Sequence, residues 1–142
     1  MSTYIHPQPE AGKAFYMEYN DKGKVVMLNL LRFREVADYT GLDAIKPAEP
    51  ISGQAAYKLY SDHTIPILEK MGSKVLYFGT ASSFLIGPES EKWDAVLLVE
   101  HESAAKFISF AQDPEYLKGA GHRTAALEDS RLLPSIELWF SP

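Results

Sequence analysis

Val25-Val26-Met27-Leu28-Asn29-Leu30-Leu31-Arg32-Phe33 is a strand by its β-branched and large apolar content, interrupted by Asn29 and Arg32. Successive strand side chains point to opposite faces, so Val25, Met27 and Leu31 point one way and Val26, Leu28 and Leu30 the other. An antiparallel sheet with one wet face should alternate apolar and polar residues, and this strand does not. Ala95, Leu97 and Val99 likewise oppose Val96 and Leu98. Both sheet faces therefore need cover, and leaving apolar area in water costs roughly 25 cal/mol per Å². A second copy of the chain across a two-fold axis would supply that cover, so a homodimer is expected. Within one chain, the alternative is an N-terminal helix or a long loop folded over the same face.

The rest of the chain is read outward from this strand. On its N-terminal side, Pro9-Glu10 opens a short helix with Ala14, Phe15 and Tyr19 along one side, and Asp21-Lys22-Gly23 makes a turn. On its C-terminal side, residues 35 to 51 hold Gly41, Pro47 and Pro50 without a period and form a long loop. Ser52 is the expected N-cap of a helix running to Met71 and stopping at Gly72. Pro66 is expected to kink or divide that helix near His63, because proline cannot donate the backbone bond there. Lys74 to Ile86 reads as the second strand, Gly87-Pro88-Glu89-Ser90 as a turn, and Trp93 to Glu100 as the third strand in a hairpin with the second.

Ser103 caps a helix through Ala111, and Asp113-Pro114 restarts a short one. After Gly119 and Gly121, His122 to Glu128 adds one or two helical turns, and a last strand runs from Arg131 to Phe140. Strand, helix, strand, strand, helix, strand is the α+β order of a ferredoxin-like βαββαβ sheet with both helices on one face. Residues 1–24 form the helical lead-in and 25–142 the core of one domain spanning 1–142.

Composition narrows the function classes. The 142 residues are 46% apolar and 23% charged, enough for one real core. Fourteen basic against nineteen acidic residues give a net charge of −5 with no Lys/Arg cluster, so nucleic acid is not the expected partner. The absence of cysteine removes disulfides, thiolate catalysis and thiolate metal sites. The start of the chain has no signal-peptide pattern and no apolar run reaches bilayer length, so the chain reads as cytoplasmic without a membrane partner.

Several blocks carry a family resemblance: Val26 to Phe33, Gly87-Pro88-Glu89 before Trp93-Asp94, Ser103-Ala104-Ala105-Lys106-Phe107, Asp113-Pro114-Glu115-Tyr116, and His122-Arg123 through Leu132. In these the chain resembles the longer, bacterial-type branch of the family catalogued as domain of unknown function 1330. The resemblance implies a ferredoxin-like monomer and a dimeric α+β barrel. That superfamily also holds cofactor-free monooxygenases, haem-degrading enzymes, peroxidases and isomerases, so the fold does not fix the chemistry.

Candidate chemistry is read from polar residues among apolar segments. His122-Arg123 pairs a proton carrier with a planar anion fork, although helical neighbours point about 100° apart. The structural alternative pairs Arg123 with Asp129 or Glu128. Asn29 and Arg32, three apart, fall on opposite strand faces, one toward the helices and the other toward an interface or strand end. Trp93 is a candidate aromatic wall and Asp94 a base or the partner of Arg32; alternatively, the Trp packs at a sheet end. Tyr57, Tyr60 and His63 lie within two turns of one helix, as a proton donor and base or as core-rim residues.

No cofactor and no metal are expected. His6, His63, His101 and His122 show no ligand spacing, His101 reads as solvated between Glu100 and Glu102, and nucleotide-loop and Gly-x-Ser-x-Gly patterns do not occur. The leading reading is a homodimer with one small-molecule cleft per subunit, lined by Tyr57, His63, Trp93 and Arg123. It would take an aromatic or carboxylated metabolite for proton transfer or cofactor-free oxidation. The second reading is a non-catalytic dimer that binds a ligand or protein through the loop around Asp38 to Pro50, and the third is a purely structural dimer. A cleft whose polar groups have unspent hydrogen bonds favours the first; a cleft filled by side chains favours the second.

Overall fold

The computed structural model of the chain describes residues 2–137. Its elements are α1 (Pro9–Tyr19), β1 (Val25–Phe33), α2 (Gly53–Lys70), β2 (Lys74–Thr80), β3 (Ala95–His101), α3 (Ala104–Ala111), α4 (Pro114–Ala126) and β4 (Leu127–Ser135). The four strands form one antiparallel sheet in the order β2-β3-β1-β4. This is the ferredoxin-like arrangement of two split βαβ units, in the α+β class. The register places Leu31 opposite Ala95 and Ser130, Asn29 opposite Leu97 and Leu132, and Met27 opposite Val99 and Pro134. No described helix is long and apolar enough to cross a membrane.

Capping follows the sequence. Ser52 Oγ accepts the Ala55 amide, Ser103 Oγ the Lys106 amide, and Asp113 the amides of Glu115 and Tyr116. Five elements differ from expectation. Helix α2 continues through Pro66 without division. Helix α4 runs unbroken through Gly119 and Gly121, where the absent side chains admit neighbours. A Cβ at Gly119 would stand 2.2 Å from the His63 ring, and one at Gly121 would stand 2.7 Å from Ile45. The glycines that read as a break are thus close-approach points for α2 and the long loop, and packing offsets their cost to the helix.

Strand β2 ends at Thr80 rather than Ile86, because the chain leaves the ladder and carries Leu85 and Ile86 into solvent at 99% and 92% exposure. Trp93 and Asp94 precede β3, held by bonds from their amides to the Ser82 and Leu31 carbonyls. Strand β4 begins at Leu127, paired with Phe33 across a bulge, rather than at Arg131. Of its expected extent, residues 138–140 lie outside the described residues.

The helix-covered face of the sheet carries two separate apolar clusters. One joins Leu31, Ala56, Tyr57, Ala95 and Leu127. The other joins Leu68, Val99 and Phe110. Helix α1 packs on α3, with Phe15 edge-on to Phe107 at 5.6 Å. The 35–51 loop is pinned by backbone bonds Ala37 to Ile51 and Asp38 to Ala125, and packs Tyr39, Leu42 and Ile45 on the first cluster. Both therefore sit with the helix layer. The opposite face, carrying Val26, Leu28, Leu30, Val96 and Leu98, keeps partial exposure throughout, with Tyr77 and Leu133 more open still.

Candidate functional site

The site lies on the helix-covered face, in one row of the sheet. Phe78, Leu97, Asn29 and Leu132 stand side by side across β2, β3, β1 and β4. Phe78 and Leu132 are 45% and 43% exposed and Leu97 and Asn29 are half-buried. The rows on either side are sealed: Leu31 with Ala95, and Met27 with Val99, are all under 7% exposed.

 The accessible row between them is an apolar strip of the sheet with one polar group in the middle. Asn29 Nδ2 donates to the carbonyls of Met27 and Leu97, at 3.3 and 3.2 Å, while its Oδ1 accepts nothing among the described residues.

The walls come from α2 and α4. Tyr57 packs against Phe33, Tyr60 and Phe78, with ring centroids 5.4, 5.2 and 6.1 Å away. Its hydroxyl makes no hydrogen bond among the described residues, although the residue is only 3% exposed. Tyr60 and Tyr116 hydroxyls meet at 3.0 Å, so one proton of the pair is left to donate elsewhere. Burial pushes the Tyr57 phenol up to about 12 against the pull of Arg123, and burial with the neighbouring phenols holds Tyr60 well above its ordinary value. Both phenols are therefore neutral donors at physiological pH. Arg123 lies close enough for its charge to reach both. It donates from Nη1 to the Ile5 carbonyl at 2.7 Å and contacts Ser130 Oγ at 3.5 Å, rather than pairing with Asp129 or Glu128.

The other candidates lie elsewhere. His122 and Arg123 diverge as helical neighbours must. His122 Nδ1 meets the Tyr39 hydroxyl at 2.6 Å, and burial, then the nearby His63, lowers its pKa. His63 is not joined to Tyr60: its Nε2 binds the Glu115 carbonyl at 2.6 Å. Trp93 and Arg32 do not share the cleft with Tyr57. The Trp93 ring lies between the guanidiniums of Arg32 and Arg131, 4.9 and 5.0 Å from its centroid, on the sheet face away from the helices. Arg32 donates to the Lys92 carbonyl and reaches Asp129 at 3.9 Å. Asp94 accepts the Phe33 amide and is not the partner of Arg32.

His101 is not solvated: it is 2% exposed, with Nδ1 on Ser73 Oγ at 2.7 Å and Phe107 and Phe110 beside it. Strand alternation turns it toward the helices while Glu100 faces the other way. Among the described residues, no three His, Asp or Glu side chains are grouped to hold a metal. The long loop folds around a half-open depression of about 440 Å³, whose lining includes Asp38, Tyr39, Asp43, Lys46 and Glu49.

Sequence reading singled out Asn29, Tyr57, Tyr60 and Arg123 and passed over Tyr116, which meets Tyr60, Phe78, which packs on Tyr57, and Leu97 and Leu132, the cross-strand neighbours of Asn29. Tyr116 had a usable signal, since the Asp113 cap fixes it in the first turn of α4. The floor row had none, because cross-strand register is not written locally.

The profile of the family described as Domain of unknown function (DUF1330) matches residues 48–134. The crystal structure of the methylated RPA0582 protein is 36% identical, covers 97% of this chain and 97% of that chain, and superposes with a TM-score of 0.85. A second structure of RPA0582, a protein of unknown function from Rhodopseudomonas palustris, is 36% identical over 96% of this chain and 98% of that one, with a TM-score of 0.83. A NIPSNAP family protein from Agrobacterium tumefaciens, 18% identical over 84% of this chain and 97% of that one with a TM-score of 0.51, shares the fold alone. No curated protein matches the chain.

Proposed function

The chain belongs to the family described as Domain of unknown function (DUF1330), and from that premise we propose that it is a homodimer whose subunits each bind a small carboxylated or enolisable metabolite in the cleft above Asn29. The observation that carries this reading is the donor-rich lining. Tyr57, the Tyr60–Tyr116 pair and Arg123 offer O–H and N–H groups, two of the phenols are held neutral, and the Tyr57 hydroxyl has no partner among the described residues. Such groups, partly withdrawn from water, favour an oxyanion over a neutral ligand. The apolar floor of Phe78, Leu97 and Leu132 suits the body of an aromatic or aliphatic acid.

Stabilising a carboxylate or an enolate is chemistry this lining can perform. A proton-transfer step would draw on His63 or His122, and both imidazoles are engaged with other partners. The same cleft without a free base is also the site of a non-catalytic anion-binding dimer, and the binding half of the proposal is common to both readings. Calorimetric titration with benzoate tests it. Wild type binds benzoate and not benzamide, while Tyr57→Phe and Tyr116→Phe each weaken it by about fivefold, the worth of one hydrogen bond. Equal affinity for benzoate and benzamide, or phenylalanine variants that bind as wild type does, overturns the anion cleft.

A further inference from the structure

Arg123 is the point where the cleft meets the N-terminal lead-in. The Tyr4 amide donates to Asp129 Oδ1 at 2.8 Å, Ser130 Oγ donates to the Tyr4 carbonyl at 2.5 Å, and Arg123 Nη1 donates to the Ile5 carbonyl at 2.7 Å. The Arg131 guanidinium lies 4.8 Å from the Tyr4 ring centroid. Residues 4 and 5 thus form a strap between β4 and the C-terminal part of α4. Each of these backbone bonds goes to a side chain, so the strap can leave without opening the β4 ladder. Tyr4 is 54% exposed, which leaves Ile5 as its apolar anchor on the first core cluster.

A neutral carbonyl is a weaker acceptor for a guanidinium than a carboxylate is. A carboxylate adds charge and takes two parallel N–H bonds where the carbonyl takes one. We propose that the Ile5 carbonyl holds the place of a ligand oxygen on Arg123, so that entry of a carboxylate unlatches the N-terminal strap. This inference rests on the anion-binding reading of the cleft. It makes the strap a gate: closed, it occupies part of the donor set; open, it frees the guanidinium and uncovers the β4 side of the site. His6, Pro7 and Gln8 separate the strap from α1, which stays docked on α3.

Hydrogen exchange of the full chain, read by mass spectrometry with and without benzoate, tests the gate alongside benzoate titration. Saturating benzoate speeds exchange of the Tyr4 amide, the strap amide bound to Asp129, by about tenfold. Ser130→Ala, which removes one strap bond and of Arg123's contacts only the long one at 3.5 Å, tightens benzoate by about threefold. If benzoate binds while strap exchange stays unchanged, or while Ser130→Ala binds no more tightly than wild type, the latch is overturned and the cleft stands. If benzoate binds neither protein, the cleft reading falls and the latch falls with it.

Discussion

His101 shows what burial does to a single titrating residue. Withdrawal from water among Phe107 and Phe110 pushes its pKa from 6.5 down to about 4. Below pH 6.5 the unfolded chain takes up a proton that the folded chain refuses. Stability therefore falls as pH drops from about 6.5 to about 4 and levels off below that range. The full shift corresponds to about 3 kcal/mol by linkage. Urea unfolding at pH 7 and pH 4.5 checks this. In His101→Gln, which cannot titrate, we expect less than half of the wild-type loss. The same residue illustrates a limit of local reading: its acidic neighbours suggested solvent, whereas strand alternation and α3 decide its surroundings.

At the scale of elements, the caps connect stability to the site. Asp113 accepts the Glu115 and Tyr116 amides and so holds the first turn of α4, from which Tyr116 reaches Tyr60. Asp113→Ala should cost about 1 kcal/mol of stability, read as a lowered urea midpoint. It should also weaken benzoate, because the hydroxyl pair loses its fixed spacing. Caps, turns and strand content are local properties, which is why α2, α3 and the start of α4 were legible from Ser52, Ser103 and Asp113-Pro114. The break expected at Gly119 and Gly121 was misplaced for a tertiary reason. Propensity alone counts these glycines against the helix, but His63 and Ile45 occupy the space they leave.

For the whole molecule, the question is what covers the second sheet face. Helix α1 and the long loop, the two segments able to wrap it, pack with the helix layer. Val26, Leu28, Leu30, Val96 and Leu98 therefore support the proposed homodimer, whose partner would bury them. Tyr77 and Leu133 flank this face at 55% and 62% exposure, so charge there leaves the monomer core intact. Light scattering should give a dimer for wild type and a monomer for Tyr77→Glu/Leu133→Glu, with unchanged circular dichroism. A monomeric wild type would overturn the dimer.

The order of strands and helices, the capping residues and the apolar excess of β1 and β3 are properties of neighbours along the chain, and the sequence by itself determined them. Which residues share the cleft was decided only by tertiary structure. Strand alternation alone puts Asn29 and Arg32 on opposite faces, but only the docking of helices on the sheet decides that Asn29 is the one beneath them and that Arg32 meets the Trp93 ring. Ile5 and Arg123 meet across nearly the whole chain. Register and helix docking set such meetings, and both depend on surfaces far apart in sequence finding each other.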